Sequence, residues 1–154
     1  MILETVGIAP RLVIRTSGNG GIVNAMTKMP QAIVVAITDD DKQKPEHFKN
    51  FHEVNFSAAL CYKRQIDTRH HLIFLIPAVE QWILDCAQSV GVEPNKYGVP
   101  NTLEGLKKIT KRDTIKNNQE FRRFLKALLR KEAPGFVFLK DILTNLPATP
   151  FTTE

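Results

Sequence analysis

Hydrophobic residues in the first half of the chain fall into three short runs that predict β-strands. The runs span residues 11–16, 32–38 and 71–76, are rich in β-branched residues, and each ends at a glycine-rich, acidic or proline-containing stretch. The second and third runs are apolar at consecutive positions, which is typical of strands buried on both faces of a parallel sheet. The pattern therefore predicts three strands, two of them in the middle of a sheet.

Helical periodicity occupies the segments between and after these strands. Residues 21–29, 47–63 and 78–90 carry apolar side chains three and four positions apart, which predicts a helix in each segment. Strands that alternate with helices are typical of an α/β fold. We therefore predict a small, mostly parallel sheet with helices on both faces.

The chain changes character after residue 90. A loop rich in proline and glycine spans 91–101, and Thr102 is positioned as the N-cap of the helix that follows it. Two further helices are predicted at 118–131 and 136–146. The remaining residues, 147–154, are expected to form a frayed tail.

Length and composition limit the class of protein. We expect a single domain over residues 1–154, with an α/β core at 1–90 and a helical extension at 91–146 that packs on it. With 43% hydrophobic and 24% charged residues, the chain has the composition of an ordinary globular protein, which excludes disorder and a disulfide scaffold.

The sequence also predicts where the protein resides. No apolar run reaches the ~20 residues that are needed to span a bilayer, and the first residues lack the pattern of a signal peptide. The two cysteines fit the interior of a reduced protein. We therefore expect a cytoplasmic protein that has no membrane partner.

Acidic residues cluster where two of the predicted strands end. Asp39, Asp40 and Asp41 follow the second strand, and Glu80 lies in the first turn of the helix after the third strand. The carboxyl ends of parallel strands form the edge where ligands bind, and Asp39 and Asp41 point the same way in an extended segment. Two such carboxylates suit Mg²⁺. The pattern favours a metal or phosphate site, and the alternative is a solvated turn with an acidic helix N-terminus.

Two segments of the chain resemble a known family. Residues 36–41 (Ala-Ile-Thr-Asp-Asp-Asp) are similar to the strand and Asp-x-Asp motif of TOPRIM domains, the metal-binding fold of topoisomerases, primases and related nucleases. Residues 76–85 resemble the Pro-x-x-Glu-x-Trp segment of a largely uncharacterised bacterial TOPRIM-related family. The resemblance implies a Rossmannoid fold and Mg²⁺-dependent phosphodiester chemistry on nucleic acid. It implies that Asp39 and Asp41 hold the metal. Glu80 matches a residue that is characteristic of the subfamily, and we predict that it is the catalytic residue, supporting the metal through a water molecule.

One part of the TOPRIM pattern is missing from this sequence. TOPRIM domains open with a strand that ends in a glutamate acting as general acid or base. Only ten residues precede the first predicted strand here, so we expect that this opening strand is absent and that Glu4 does not take the role of the glutamate. The sheet edge left open would have to be covered by a helix or by a second protomer, and the second of these predicts a homodimer. Two functions follow: a nuclease-like enzyme, or a catalytically inactive TOPRIM-related binding or interaction module.

Basic residues are concentrated in the second half of the chain. Residues 107–131 contain ten basic and two acidic residues, whereas the whole chain has a formal net charge of +5. Such a segment can neutralise several phosphates of a nucleic acid. The alternative is a solvated amphipathic helix, because no aromatic residues interleave with the basic ones. The predicted nucleic-acid contacts are Lys111, Arg112, Arg122, Arg123, Lys126 and Arg130.

Overall fold

The computed structural model describes residues 1–9, 18–40 and 43–152, and within them the chain forms strands and helices. The four strands are β1 (Val34–Asp39), β2 (Phe51–Ser57), β3 (Leu60–Gln65) and β4 (His70–Leu75). The six α-helices are α1 (Ile2–Thr5), α2 (Gly18–Lys28), α3 (Val79–Ser89), α4 (Leu103–Thr110), α5 (Gln119–Arg130) and α6 (Pro134–Thr144). Short 3₁₀ helices lie at Glu46–Asn50, Pro94–Tyr97 and Asp113–Asn117. The predicted α/β class is confirmed.

The four strands form one mixed sheet in the order β1-β4-β3-β2. β1 and β4 are parallel, with Val34 opposite His70 and Asp39 opposite Leu75. β3 pairs antiparallel with both β4 and β2. Two of the three pairings in the described sheet are therefore antiparallel, and the prediction of a mostly parallel sheet is wrong.

The β2–β3 hairpin is the reason for this difference. It replaces most of the helix predicted at 47–63, and residues 52–57 of β2 are exposed on both sides of the strand. The two turn residues, Ala58 and Ala59, have φ angles of 50° and 56°. Positive φ at both central residues is the backbone of a type I′ turn, which Asn-Gly normally marks in a sequence. Because two alanines stand there, the sequence shows no turn motif and its apolar spacing predicts a helix instead.

The other predicted elements agree with the structure where it describes them. β1 and β4 confirm the strands predicted at 32–38 and 71–76, with their ends shifted by one or two residues. Thr102 caps α4, because its hydroxyl accepts a hydrogen bond from the Gly105 N–H at 3.1 Å. The strand predicted at 11–16 lies outside the described residues. None of the described helices is long and apolar enough to cross a bilayer.

The chain divides into two compact units. The sheet unit comprises residues 18–40, 43–79 and 144–152, and the helical unit comprises residues 1–9 and 80–143. In the sheet unit, α2 and the 3₁₀ helix at Glu46–Asn50 cover one face of the sheet. Each buried leucine or phenylalanine on such a face contributes about 1.5–3 kcal/mol. The core residues there are Ile22, Met26, Ala36, Phe48, Phe51, Cys61, Leu72 and Phe74.

The helical unit has its own core around α5 and α6. Trp82 of α3 stacks on Phe136 of α6 with 5.1 Å between the ring centroids. Phe124 and Leu128 of α5 are fully buried, and so is Leu106 of α4. The apolar stripe of α5 therefore faces inward, and its charged side faces solvent.

The described residues after α6, 145–152, are held against the sheet. Phe151 forms a parallel β-bridge with Ile66, and its N–H and carbonyl both bond to the turn between β3 and β4. Arg64 donates a hydrogen bond to the Thr149 carbonyl at 2.8 Å and places its guanidinium 5.1 Å from the centre of the Phe151 ring. The expectation of a frayed tail considered only local sequence, whereas these contacts are made with strands far away in the chain.

Candidate functional site

Asp39 ends β1 with its carboxylate at the beginning of α3. Its Oδ1 accepts a hydrogen bond of 2.7 Å from the backbone N–H of Val79, the first residue of that helix. The parallel register explains the contact, because Asp39 lies opposite Leu75, four residues before Val79. The carboxylate satisfies one of the N–H groups that a helix leaves unpaired at its start, where the helix dipole also favours negative charge. Asp39 thus has a structural role, and its predicted role as a metal ligand stays a prediction.

The rest of the acidic run has a different environment. Asp40 forms an ion pair of 2.6 Å with Lys44, whose ammonium group lies 5.0 Å from the centre of the Phe74 ring. Asp41 lies outside the described residues. Within the described ranges, no three His, Cys, Asp or Glu side chains form a group that could hold a metal ion. Because Asp41 is not among them, the predicted Mg²⁺ site rests on the sequence alone.

Glu80 belongs to the helical unit, and its carboxylate contacts the end of α4. Its Oε1 accepts a hydrogen bond of 2.7 Å from the hydroxyl of Thr110, and that hydroxyl also lies 3.3 Å from the carbonyl oxygen of Lys107. Thr110 directly precedes Lys111 in the chain. The predicted catalytic carboxylate therefore lies where the basic segment begins. Asp39 belongs to the sheet unit, so each of these two carboxylates has a partner within its own unit.

The predicted nucleic-acid contacts lie on α5 and on the turns that lead into it. Asn118 caps α5, because its Oδ1 accepts a hydrogen bond of 2.9 Å from the Phe121 N–H. Five of the six predicted contacts are exposed, and these are Lys111, Arg112, Arg123, Lys126 and Arg130. No described carboxylate forms an ion pair with any of the five.

Three of these basic residues share one face of α5. Arg123, Lys126 and Arg130 are spaced three and four positions apart, so they project from the same side of the helix. Together with Leu129 they line a shallow depression in the surface. The opposite side of α5 is buried, with Phe124 fully inaccessible to solvent. The local sequence thus fixes a row of cations that points away from the core of the helical unit.

Arg122 differs from its basic neighbours because its guanidinium group is bound to other residues of the protein. Its Nη1 lies 3.2 Å from Oε2 of Glu4, and its Nη2 donates a hydrogen bond of 2.8 Å to the Lys116 carbonyl. These contacts connect α1 and the 3₁₀ helix at Asp113–Asn117 to α5. No catalytic role is predicted for Glu4, and its ion pair with Arg122 gives it a structural role. Sequence spacing does not distinguish Arg122 from Arg123, because the partner of Arg122 lies at the other end of the chain.

A buried polar cluster in the sheet unit was not predicted from the sequence. The Tyr62 hydroxyl lies 2.7 Å from Nδ1 of His71, and the two rings stack. His71 is fully buried, and its Nε2 has no hydrogen-bond partner among the described residues. Burial, with smaller effects from the charges of Arg64 and His70, lowers the pKa of His71 from 6.5 to about 4. The register of β3 on β4, which places Arg64 opposite His71, brings these residues together. The sequence alone does not show that register.

The comparisons with known proteins do not assign a function to this chain. No protein-family model, curated protein or solved structure matches this chain. The TOPRIM resemblance therefore stays a prediction from residues 36–41 and 76–85.

Proposed function

We propose that this protein binds the phosphate backbone of nucleic acids through a basic surface on its helical unit. The observation that supports this proposal is the set of exposed cations between α4 and the end of α5 that have no acidic partner in the described part of the chain. A field of one sign over such a surface attracts polyanions, and contact with phosphates releases condensed counterions. The basic surface is defined by Lys111, Arg112, Lys116, Arg123, Lys126 and Arg130.

Two acidic residues lie in the same segment, Asp113 and Glu120, and neither forms an ion pair with a described residue. Glu120 lies three positions before Arg123 on α5 and carries its carboxylate close to Gly98, which follows the 3₁₀ helix Pro94–Tyr97. The segment as a whole keeps an excess of ten basic over two acidic residues.

Fluorescence anisotropy with a labelled oligonucleotide tests this function. We expect wild-type binding to weaken steeply between 50 and 200 mM salt, as electrostatic binding to phosphates does. The triple variant Arg123→Gln/Lys126→Gln/Arg130→Gln should bind at least about ten-fold more weakly, because neutralised phosphate contacts carry the non-specific affinity. Thermal melting checks that the variant is folded.

A charge-matched control separates the surface from the overall charge of the protein. The variant Lys28→Gln/Lys49→Gln/Lys140→Gln removes the same three charges from exposed positions outside the basic surface. We expect its affinity to change by less than two-fold. Equal losses in the two triple variants, or no binding by the wild type, would refute the proposal.

A second candidate function adds cleavage to binding. The position of Glu80 beside Thr110, at the beginning of the basic segment, favours it. In this proposal Asp39 and Asp41 hold Mg²⁺, as the TOPRIM resemblance implies, and Glu80 supports the metal as the catalytic residue. The metal would stabilise the charge that develops on a phosphodiester during displacement.

The cleavage proposal is tested with supercoiled plasmid and with Mg²⁺ or Mn²⁺. The variant Asp39→Asn/Asp41→Asn keeps an oxygen at position 39 that can accept the Val79 N–H, so we expect it to fold but to lose nicking and any metal-induced shift in Tm. The variant Asp40→Asn loses only the half-exposed ion pair with Lys44 and should retain both. Binding without nicking in either metal would support the inactive binding module.

A further inference from the structure

We infer that the basic surface binds a nucleic-acid duplex in preference to a single strand. This inference rests on the proposed function and narrows it to one form of nucleic acid. It follows from what surrounds the cations, from how they are held and from the charge density that they meet.

The described part of the helical unit presents no fully exposed aromatic side chain on which a base could stack. Proteins that bind single strands gain about 1–3 kcal/mol for each base that stacks on an aromatic side chain. In the described part of the helical unit the aromatic side chains are buried, except for Tyr97 and Phe138, which are half-buried, and those on α5 lie on the side opposite Arg123 and Arg130. A single strand would therefore meet charge without stacking. The aromatic residues are Trp82, Tyr97, Phe121, Phe124, Phe136 and Phe138.

The cations of α5 stand on a rigid support. α5 is capped by Asn118, buried along its apolar side, and fixed to the preceding 3₁₀ helix through Arg122. The helical rise of about 1.5 Å per residue separates the backbone positions of Arg123 and Arg130 by about 10 Å. A duplex offers a phosphate path that is already ordered, whereas a flexible strand loses conformational freedom when it follows a fixed row of charges.

A duplex also presents a higher density of negative charge to this row than a single strand does. Duplex DNA carries one negative charge for about every 1.7 Å of its axis, and one of its strands carries one for about every 3.4 Å. A row of about 10 Å therefore spans roughly six duplex charges and roughly three charges of one strand. Each neutralised phosphate also releases more counterions from a duplex, with a salt slope of about 0.9 against about 0.7 for a single strand. Without stacking to compensate, the duplex is the stronger ligand.

The test compares a labelled 20-base-pair DNA duplex with each of its two separated strands, in anisotropy titrations of the full chain at 50 to 200 mM NaCl. We expect the duplex to bind at least ten-fold more tightly than either strand at 100 mM NaCl. The plot of log K against log salt for the duplex should lose a slope of about 2.7 in the variant Arg123→Gln/Lys126→Gln/Arg130→Gln, since each lost phosphate contact removes about 0.9.

The outcomes separate this inference from the function on which it rests. Equal or tighter binding of a single strand would overturn the duplex preference and leave backbone binding in place. No binding of either form would overturn both. A duplex preference that the triple variant retains in full, with an unchanged salt slope, would mean that another surface reads the duplex and would also overturn the inference.

Discussion

Arg122 and Glu4 lie 118 positions apart in the sequence, and their side chains meet in an ion pair of 3.2 Å. The pair is mostly shielded from water, with the side chain of Arg122 30% exposed and that of Glu4 21% exposed. It joins α1, near the start of the chain, to α5. Arg122 therefore acts on the basic surface by positioning the helix that carries it, while Arg123 faces solvent.

Replacing Arg122 should cost stability that replacing Arg123 does not. Arg122→Met removes both the bond to Glu4 and the bond to the Lys116 carbonyl, so we expect the free energy of unfolding to fall by about 1.5–3 kcal/mol, as for hydrogen bonds to charged groups. Arg123→Met, at an exposed position, should stay within about 0.5 kcal/mol of wild type. Urea unfolding measures both. Equal stability of the two variants would mean that the contacts of Arg122 are not formed in solution.

Two helical glycines should respond to alanine with opposite signs. A Cβ atom at Gly135 would lie 2.7 Å from the Trp82 ring and 2.8 Å from the Cys86 sulfur, whereas nothing lies within 4 Å of one at Gly20. Gly135→Ala should therefore destabilise the protein by about 1–3 kcal/mol, the usual cost of overpacking a core. Gly20→Ala should stabilise it by about 0.5–1 kcal/mol because alanine favours the helix. Thermal or urea unfolding decides, and a stabilised Gly135→Ala would contradict the packing of α6 on Trp82.

Acid should destabilise the protein through His71. Its pKa in the folded protein is about 4, below the ordinary 6.5, so the unfolded chain takes up a proton there that the folded chain does not. The free energy of unfolding should therefore be insensitive to His71 above about pH 6.5 and fall by up to about 3 kcal/mol as the pH drops to about 4. Urea unfolding at several pH values in this window measures the loss.

A matched pair of variants assigns that loss to the buried imidazole. His71→Gln should flatten the dependence between pH 6.5 and pH 4, whatever its stability at pH 7. His52→Gln, at an exposed position of β2, should keep the wild-type dependence. If His71→Gln retains the full acid loss, the imidazole is not the group responsible. An NMR titration of His71 provides the same answer without a variant.

The hairpin turn between β2 and β3 should be easy to stabilise. Ala59 has a φ of 56°, a conformation that costs an L-residue about 1–2 kcal/mol and costs glycine little. Ala59→Gly should therefore raise the free energy of unfolding by up to about 1 kcal/mol. The control Ala25→Gly, in the helix α2, should lower it by about 0.5–1 kcal/mol. A loss in both variants would place Ala59 outside the left-handed region.

The sequence predicted elements wherever a local pattern decides them. β1, β4, α3 and α5 follow from continuous apolar runs or from helical periodicity, and the cap at Thr102 follows from residue type. The β2–β3 hairpin was not predicted, because its turn has no glycine or asparagine and its exposed strand has no buried face. The hairpin adds β2 and β3, whose pairings are antiparallel, so missing this one turn produced the prediction of a mostly parallel sheet, although β1 and β4 are parallel.

The sequence predicted which residues belong to the candidate site, but it did not predict which partners they contact. The row on α5 follows from helical spacing, which the sequence contains. The partners of Asp39, Glu80 and Arg122 cannot be predicted from local sequence. Each partner lies on another element, and tertiary packing sets the position of that element. The type and position of a residue can therefore identify a candidate functional side chain. Whether that side chain is free to contact a ligand or is bound within the protein depends on a neighbour 30 to 118 residues away.

The bridge between Phe151 and Ile66 has a practical consequence for deletion experiments. A chain shortened to residue 144 would keep all the described helices intact, so its far-ultraviolet circular dichroism would look almost unchanged. It would nevertheless lack the aromatic ring over Arg64 and the backbone bonds at the turn before β4. If such a truncated protein lost activity, the cause would be damage to the strands. The loss would not show that the removed residues themselves take part in the activity.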